Sequence, residues 1–257
     1  RIRMNYSEWN AQAWDVWSKE ENCWTLPISH ETFINVKKGE WNVTLAAERP
    51  VPKGWFPSMK GTRILGLASG GGQQMPIFTA LGANVTVMDY SIQQLEAERM
   101  VAKREGYRIE IIRGNMAEPF PFEDEYFDLI FNPVSTNYIE DVRHVWRECA
   151  RVLKPGGILM AGTVNPVMFL FDDDNPLQVV NPLPFCSVRK KLSETGRIET
   201  ENGQPIFFSH SMEELIGGQL EAGFRLTDLL EDRDREGVGV LRDYLPTYIM
   251  TRAVKET

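Results

Sequence analysis

The sequence predicts an α/β fold built on a doubly wound, largely parallel sheet. Between Thr62 and Gly162, short apolar runs alternate with segments of helical pattern. A glycine-rich turn directly follows the first apolar run, and the run over Phe127–Phe131 is almost continuously apolar. Strands that alternate with helices form parallel sheets, whose central strands are buried on both faces. We therefore expect one such sheet at the centre of the molecule.

An aromatic helix is predicted before the sheet begins. Tyr6, Trp9, Ala13 and Trp17 recur at helical spacing, so one face of this helix is aromatic. This face either packs on the main core or closes over a pocket as a lid, where aromatic rings also attract cations. We assign residues 1–60 to an N-terminal helical lid, which ends in a linker marked by Pro50, Pro52, Gly54 and Pro57.

The central elements follow in regular order. Ser91 and Gln94 have the spacing of a capping box, so they predict a helix that runs to about Glu105. A later helix, with an apolar stripe from Val142 to Leu153, is predicted to stop at Lys154-Pro155-Gly156-Gly157. The five predicted strands are Arg63–Leu67, Asn84–Met88, Arg108–Ile112, Phe127–Phe131 and Ile158–Gly162.

An irregular insert follows the fifth strand. Residues 164–210 lose the alternation, and long inserts after a core strand are usually functional or disordered. We predict that this insert caps a substrate pocket within a main domain of residues 61–257. Regular pattern returns with a helix that starts at Ser211 and ends at Gly223. Phe224–Leu230 and Tyr248–Val254 are the predicted closing strands.

The glycine-rich turn predicts a nucleoside site. Glycines let the backbone approach a ligand closely, and the following helix directs its positive dipole end to the same place. Asp89 ends the second strand, where a carboxylate can accept both hydroxyls of a ribose. Ala68 stands where a dinucleotide site needs its middle glycine, which argues mildly against a pyrophosphate. The turn by itself leaves open NAD and S-adenosylmethionine.

The order of the downstream segments narrows the choice. Ile64–Gly72, Val85–Asp89, Arg113–Met116, Phe127–Ile130, Trp146–Gly157 and Glu221–Phe224 follow one another in the chain. In that order the chain resembles the class I S-adenosylmethionine-dependent methyltransferases of the bacterial small-molecule type. The resemblance covers about residues 60 to 255, apart from most of the insert. It implies a Rossmann-like sheet of about seven strands, with the last strand antiparallel, and S-adenosylmethionine as cofactor, converted to S-adenosylhomocysteine.

The resemblance also implies roles for individual residues. Asp89 holds the ribose, and Tyr90, Asn115 and Met116 lie beside the adenine. Asn132 and Pro133 lie beneath the sulfonium. The residues expected to wrap the methionine part are Gly66, Ala68, Ser69, Gly70 and Gly72. Two of these depart from the family pattern, because relatives carry an acidic residue at the place of Gly66 and a glycine at that of Ala68.

The catalytic base has no fixed position in this family. His210 is our first candidate, since it precedes the helix after the insert and histidine titrates near neutrality. A capping or packing histidine is the alternative. Tyr6 and Tyr138 are weaker candidates. Trp9, Trp14, Trp17 and Tyr138 are the expected lid and substrate contacts. Asp172-Asp173-Asp174 is interpreted as an acidic turn, so we expect no metal.

Composition limits the partners. The net charge is −8 and the one compact basic cluster is Arg189-Lys190-Lys191, so nucleic acid is disfavoured. No apolar run is long enough for a membrane span, no leader opens the chain, and three widely spaced cysteines suit reduced cytosolic thiols. We expect a cytoplasmic monomer or homodimer that methylates a small molecule. A non-catalytic S-adenosylmethionine-binding protein and an RNA or protein methyltransferase are the alternatives.

Overall fold

A computed structural model describes residues 5–188 and 204–256. Its seven strands form one sheet in the order β3-β2-β1-β4-β5-β7-β6, in which β1 to β5 are parallel and β7 runs antiparallel to both of its neighbours. This arrangement confirms the predicted fold class. The strands are β1 (Arg63–Leu67), β2 (Asn84–Asp89), β3 (Glu110–Arg113), β4 (Phe127–Asn132), β5 (Leu153–Val164), β6 (Phe224–Asp232) and β7 (Tyr248–Lys255).

Helices cover both faces of the sheet, and most begin at a residue whose side chain caps the first turn. Ser91 accepts a hydrogen bond from the Gln94 N–H, and Asp141 accepts one from the His144 N–H. The helices are α1 (Tyr6–Lys19), α2 (His30–Lys37), α3 (Met75–Ala80), α4 (Ile92–Glu105), α5 (Val142–Val152) and the short α6 (Gly218–Glu221), which continues a π-helical turn over Glu213–Gly217. Of these, α2 has no counterpart among the predicted elements.

Two hydrophobic clusters form the core, one on each face of the sheet. Successive strand residues point to opposite faces, so Leu65 belongs to the cluster under α5 and Ile64 to the cluster under α3. Trp146 is fully buried in the first of these clusters. The second includes Leu45 and Trp55, so part of the N-terminal segment packs into the main core. The domain boundary near residue 60 stays a prediction.

The Lys154-Pro155-Gly156-Gly157 segment lies inside β5, not between a helix and a strand. Phe127 is paired with Leu153, whereas Leu129 is paired with Ile158, so the four residues bulge from the ladder. Gly156 has a φ of 77°, which lets the chain turn back into register. The strand therefore starts at Leu153, five residues earlier than predicted.

The described part of the insert packs against α1. Cys186 and Phe208 form an isolated β-bridge, and with Ile206 they make a small buried cluster that contacts Tyr6 and Trp9. The basic cluster at Arg189-Lys190-Lys191 lies outside the described residues. Within the described residues, no helix is both long and apolar enough to cross a bilayer.

Candidate active site

The glycine-rich loop sits at the carboxyl end of β1, between α4 and an N-terminal segment. Ala68 takes a left-handed conformation with a φ of 47°, and its N–H donates to the carbonyl of Met88. The Ile28 N–H donates to the Gly72 carbonyl at 2.9 Å. The Gln73 side chain donates to the carbonyl of Trp24 at 2.8 Å. Residues 24–28 therefore pack directly against the glycine-rich loop.

Three successive N–H groups of this loop bind β2 and α4. Gly70 N donates to Asp89 Oδ2 at 3.0 Å, Gly71 N to the Gln94 carbonyl at 2.9 Å and Gly72 N to Glu98 Oε2 at 2.8 Å. A Cβ on Gly70 would lie 2.8 Å from the Gln94 Cβ. These glycines are thus needed so that the loop can approach α4, and the three N–H groups are already used within the protein.

Gly66 and Ser69 are enclosed by the same packing. A Cβ on Gly66 would lie 2.3 Å from the Met75 Sδ, so a methionine side chain fills the place where relatives carry an acid. Ser69 is buried, and its hydroxyl lies 3.3 Å from Gln74 Oε1. No acidic side chain fits at position 66 while Met75 stays where it is.

Asp89 lies at the end of β2, and its hydrogen bonds within the protein leave part of its acceptor capacity free. Its Oδ1 accepts a hydrogen bond from the Ser91 N–H at 3.0 Å, and its Oδ2 accepts one from Gly70. The Tyr90 N–H is also directed at this carboxylate, which offers about four acceptor positions, so about one remains for a ligand. Burial raises the pKa of Asp89, and the nearby charge of Asp15 adds to the effect.

Asp15 also joins α1 to the start of α4. Its Oδ1 accepts from the Ser91 hydroxyl at 2.6 Å and from the Gln93 N–H at 3.0 Å. A carboxylate at a helix N-terminus satisfies free N–H groups and favours the helix dipole. The aromatic helix is therefore fixed directly beside Asp89.

The residues expected beside an adenine lie at neighbouring strand ends. The Arg113 guanidinium lies over the Tyr90 ring at 4.7 Å from its centroid, so one face of that ring is covered. Burial raises the pKa of Tyr90. Asn115 Oδ1 accepts from the Ala117 N–H at 3.0 Å, and Met116 is buried between β2 and β4 residues of the core. The structure thus brings Tyr90, Asn115 and Met116 to one edge of the sheet.

Asn132 ends β4 and carries an acceptor without a partner. Its Nδ2 donates to the Leu67 carbonyl and to the Ser135 hydroxyl, both at 2.8 Å. Its Oδ1 is buried and has no hydrogen-bond partner. Unpaired buried acceptors are costly, so this atom is available to a donor group of a ligand. Pro133 follows it, half-buried at the same tip.

Aromatic rings from three parts of the chain meet above the strand ends. We call Tyr6, Trp14, Trp17, Tyr138, Phe207 and Phe208 the aromatic cluster. Trp14 contacts Trp17 and Tyr138 edge-to-face, with ring centroids 5.2 and 5.6 Å apart. Phe207 lies 5.5 Å from Tyr138, and Phe208 lies 5.0 Å from Tyr6. The cluster joins α1, the turn after β4 and the end of the insert.

Trp9 packs at the insert end of this cluster, against the small buried group that contains Phe208. Its Nε1 donates to the Gln204 carbonyl at 2.9 Å, and its ring packs with the Cys186 cluster of the insert. Asn10, on the next position of α1, donates to the Tyr138 and Ile206 carbonyls. Trp9 and Asn10 therefore hold α1 against the insert. The helical spacing alone groups Trp9 with the expected lid contacts, although its contact is structural.

His210 lies at the base of the turn after β4. It is buried, and its Nε2 lies 2.9 Å from the Thr136 carbonyl. A carbonyl oxygen can only accept, so Nε2 carries the proton and Nδ1 of the neutral ring keeps a lone pair. The structure therefore gives His210 the tautomer that a base acting through Nδ1 requires.

The two tyrosine candidates have different surroundings. The Tyr6 hydroxyl accepts from the Glu140 N–H at 3.4 Å, and burial raises its pKa. Burial also raises the pKa of Tyr138. A tyrosine with a raised pKa stays protonated near neutral pH, so it can donate a hydrogen bond but is a poor base.

Sequence patterns did not indicate a partly buried pair between Asp234, after β6, and Tyr248, at the start of β7. Tyr248 donates to Asp234 Oδ1 at 2.7 Å, and burial, followed by the charge of Asp234, raises the pKa of Tyr248. Arg235 lies over the Trp24 ring at 4.6 Å. Asp234 and Arg235 lie in a charged stretch after β6 that has the composition of solvated surface, so no local signal identified them. Among the described residues, no group of three or more His, Cys, Asp and Glu side chains could hold a metal ion.

This chain matches a methyltransferase family model and curated relatives that are methyltransferases. A family model for a methyltransferase domain matches residues 65–161. The uncharacterized methyltransferase YbaJ of Bacillus subtilis is 42% identical over 250 residues, which span 96% of this chain and 97% of that protein. A ubiquinone biosynthesis O-methyltransferase of Chelativorans sp. is 34% identical over 106 residues, and this match spans 41% of this chain and 42% of that protein.

Solved structures match over most of the chain. An S-adenosylmethionine-dependent methyltransferase from Mesorhizobium loti aligns with a TM-score of 0.60 and 18% identity, covering 79% of this chain and 95% of that one. A second such protein, from Listeria monocytogenes, aligns with a TM-score of 0.63 and 14% identity, covering 80% and 95%. At these identities the structures support the fold.

Proposed function

The chain belongs to the class I S-adenosylmethionine-dependent methyltransferases, and on that premise we propose that its methyl acceptor is a small molecule bound against the aromatic cluster. S-adenosylmethionine is the cofactor. When bound, it supplies a methyl group that its sulfonium has already activated. The acceptor atom of our proposal is an oxygen, nitrogen or carbon.

The residues at the strand ends fit this cofactor. Asp89 keeps acceptor capacity for a ribose hydroxyl, and Asn132 Oδ1 is a buried acceptor that lacks a donor. We propose that these two, with Ala68 and Ser69 of the loop, hold the ribose and methionine parts. Tyr90, Asn115 and Met116 are the proposed adenine neighbours.

The aromatic cluster supports a small acceptor. Its rings come from α1, the turn after β4 and the end of the insert, so they form one apolar site above the strand ends. Aromatic rings bind flat or cationic molecules and exclude water, which alignment of a methyl acceptor requires. This convergence of rings is the observation that carries the proposal.

His210 is the proposed general base. Its Nδ1 keeps a lone pair while Nε2 is held by the Thr136 carbonyl. An acceptor with an O–H or N–H group would lose its proton to Nδ1 as the methyl group is transferred. Tyr138 is proposed to orient the acceptor by donating a hydrogen bond from its hydroxyl group.

Two alternatives are less well supported. A net charge of −8 disfavours an RNA substrate, because phosphate contacts need basic groups. A non-catalytic binding protein is favoured by Gly66, which stands where an acidic residue is expected, and by Met75, which fills the space beside it. A cytoplasmic location and a monomeric or homodimeric state remain part of our proposal.

The test combines binding with turnover. We expect calorimetry to detect binding of both S-adenosylmethionine and S-adenosylhomocysteine. We also expect transfer of labelled methyl groups from the cofactor to the small-molecule fraction of a bacterial extract. Labelling of RNA or protein in the same extract, with none in small molecules, would contradict the proposed acceptor. Binding without any labelling would favour the non-catalytic alternative.

A further inference from the structure

Glu98 is a fully buried carboxyl group directly behind the glycine-rich loop. It lies on α4 and has no solvent-exposed area. Its Oε2 accepts a hydrogen bond from Gly72 N at 2.8 Å, whereas its Oε1 has no partner. A carboxyl group is costly to bury when one of its oxygens has a hydrogen-bond partner and the other has none. Such a residue is unfavourable for stability and calls for a functional explanation.

The surroundings of Gly72 make this contact specific. Gly72 has a φ of 69°, and a Cβ there would lie 2.7 Å from the Val101 side chain and 3.2 Å from Pro27. The Gly72 carbonyl accepts from the Ile28 N–H. The loop is therefore held from both sides at this residue, by Glu98 on α4 and by the N-terminal segment.

Two carboxyl groups bind the two ends of the glycine run. Asp89 binds the start of the glycine run at Gly70, and Glu98 binds its end at Gly72. The place of the family acid at Gly66 is filled by Met75. A carboxyl group that fixes the loop is thus supplied from α4 and not from β1.

We propose that Glu98 is a positioning residue for cofactor binding. Through its hydrogen bond with the Gly72 N–H, Glu98 holds the glycine-rich loop in the conformation that binds the cofactor. This inference rests on the proposed placement of S-adenosylmethionine at the loop. Glu98 does not touch the cofactor in this account. It acts by keeping the loop closed against α4, so that Ala68 and Ser69 stay in place.

The charges around Glu98 give this role a pH dependence. Asp89 faces it from β2, and the buried hydroxyl of Tyr107 lies near it beyond the end of α4. Burial, with a smaller contribution from the Asp89 charge, raises the pKa of Glu98 to about 8. Between the ordinary glutamate pKa of 4.5 and about 8, Glu98 keeps its proton while the loop is closed against α4 but would lose it on exposure to solvent. Release of the loop therefore becomes more favourable as the pH rises through this range. Cofactor binding requires the closed loop, so its affinity should fall by up to about tenfold per pH unit within this range and level off above about pH 8.

The test measures S-adenosylhomocysteine affinity by calorimetry between about pH 5 and about pH 9, a range that covers the expected fall and the plateau above it. Glu98→Gln keeps an oxygen for Gly72 N but cannot ionise, so its affinity should stay constant where that of the wild type falls. Glu98→Leu removes the acceptor and should weaken binding at least tenfold at every pH. Glu96→Gln, on the exposed face of the same helix, is the matched control and should follow the wild type.

Two results would overturn the inference. One is an identical pH profile for the wild type and Glu98→Gln. The other is wild-type affinity in a Glu98→Leu protein that is folded by circular dichroism. Asp89→Ala separates this inference from the proposed placement. If Asp89→Ala weakens binding and the Glu98 variants do not, only the role of Glu98 is refuted. If Asp89→Ala also has no effect, the placement itself is wrong.

Discussion

The buried carboxyl of Glu98 should make the protein less stable as pH rises. In the unfolded chain a glutamate has an ordinary pKa of 4.5, whereas burial raises the pKa of Glu98 to about 8 in the fold. Below pH 4.5 both states are protonated, and the residue costs nothing through ionisation. Between these values folding must take up a proton, so the penalty grows with pH and is complete above about pH 8. At 1.36 kcal/mol per pKa unit, the full penalty is roughly 5 kcal/mol.

Glu98→Gln removes this dependence, because an amide does not titrate. We expect urea unfolding to give the variant an advantage over the wild type that is small near pH 5 and reaches roughly 3 kcal/mol near pH 7. Near pH 9 the advantage should be roughly 5 kcal/mol. Any fixed cost of burying the amide shifts all three values equally. Glu96→Gln should show no such trend. A stability difference between Glu98→Gln and wild type that is constant across this range would refute the reasoning.

Three further changes test the site. Asp89→Ala should weaken S-adenosylmethionine binding by about 1–3 kcal/mol through loss of the ribose acceptor, measured by calorimetry; unchanged affinity would exclude Asp89 from the site. His210→Ala should lower methyl transfer more than cofactor affinity, and equal losses in both would assign it a packing role. Gly70→Ala should weaken cofactor binding and lower stability by about 1–3 kcal/mol, because the new methyl group meets Gln94. Gly54→Ala, where nothing lies within 4 Å, is its control, and equal effects would contradict the packing argument.

The sheet was predictable because its signals are local. Apolar runs such as Phe127–Phe131 and the capping pair of Ser91 and Gln94 depend on neighbouring residues alone. The predicted strands β1, β2 and β4 match the structure within one residue. The Lys154–Gly157 segment was recognised as a motif, but its place within β5 depends on pairing with β4, which no local pattern encodes.

The site was only partly predictable for the same reason. Asp89 and Asn132 end strands, so their position at the carboxyl edge follows from the sheet. Glu98 and Asp234 gave no signal, because a charged residue in a helix or loop usually faces solvent. Their burial results from contacts with Gly72 and Tyr248, which lie 26 and 14 residues away in the sequence. The contact of Trp9 with the insert also depends on where the insert packs.

A crystal structure with S-adenosylhomocysteine bound tests the central claim most directly. Our account predicts that the ribose hydroxyls bind Asp89 and that the sulfur atom faces the space between Tyr138 and His210. It also predicts that the glycine-rich loop keeps its contacts with α4. A sulfur atom directed away from the aromatic cluster, or a ribose that does not contact Asp89, would contradict it.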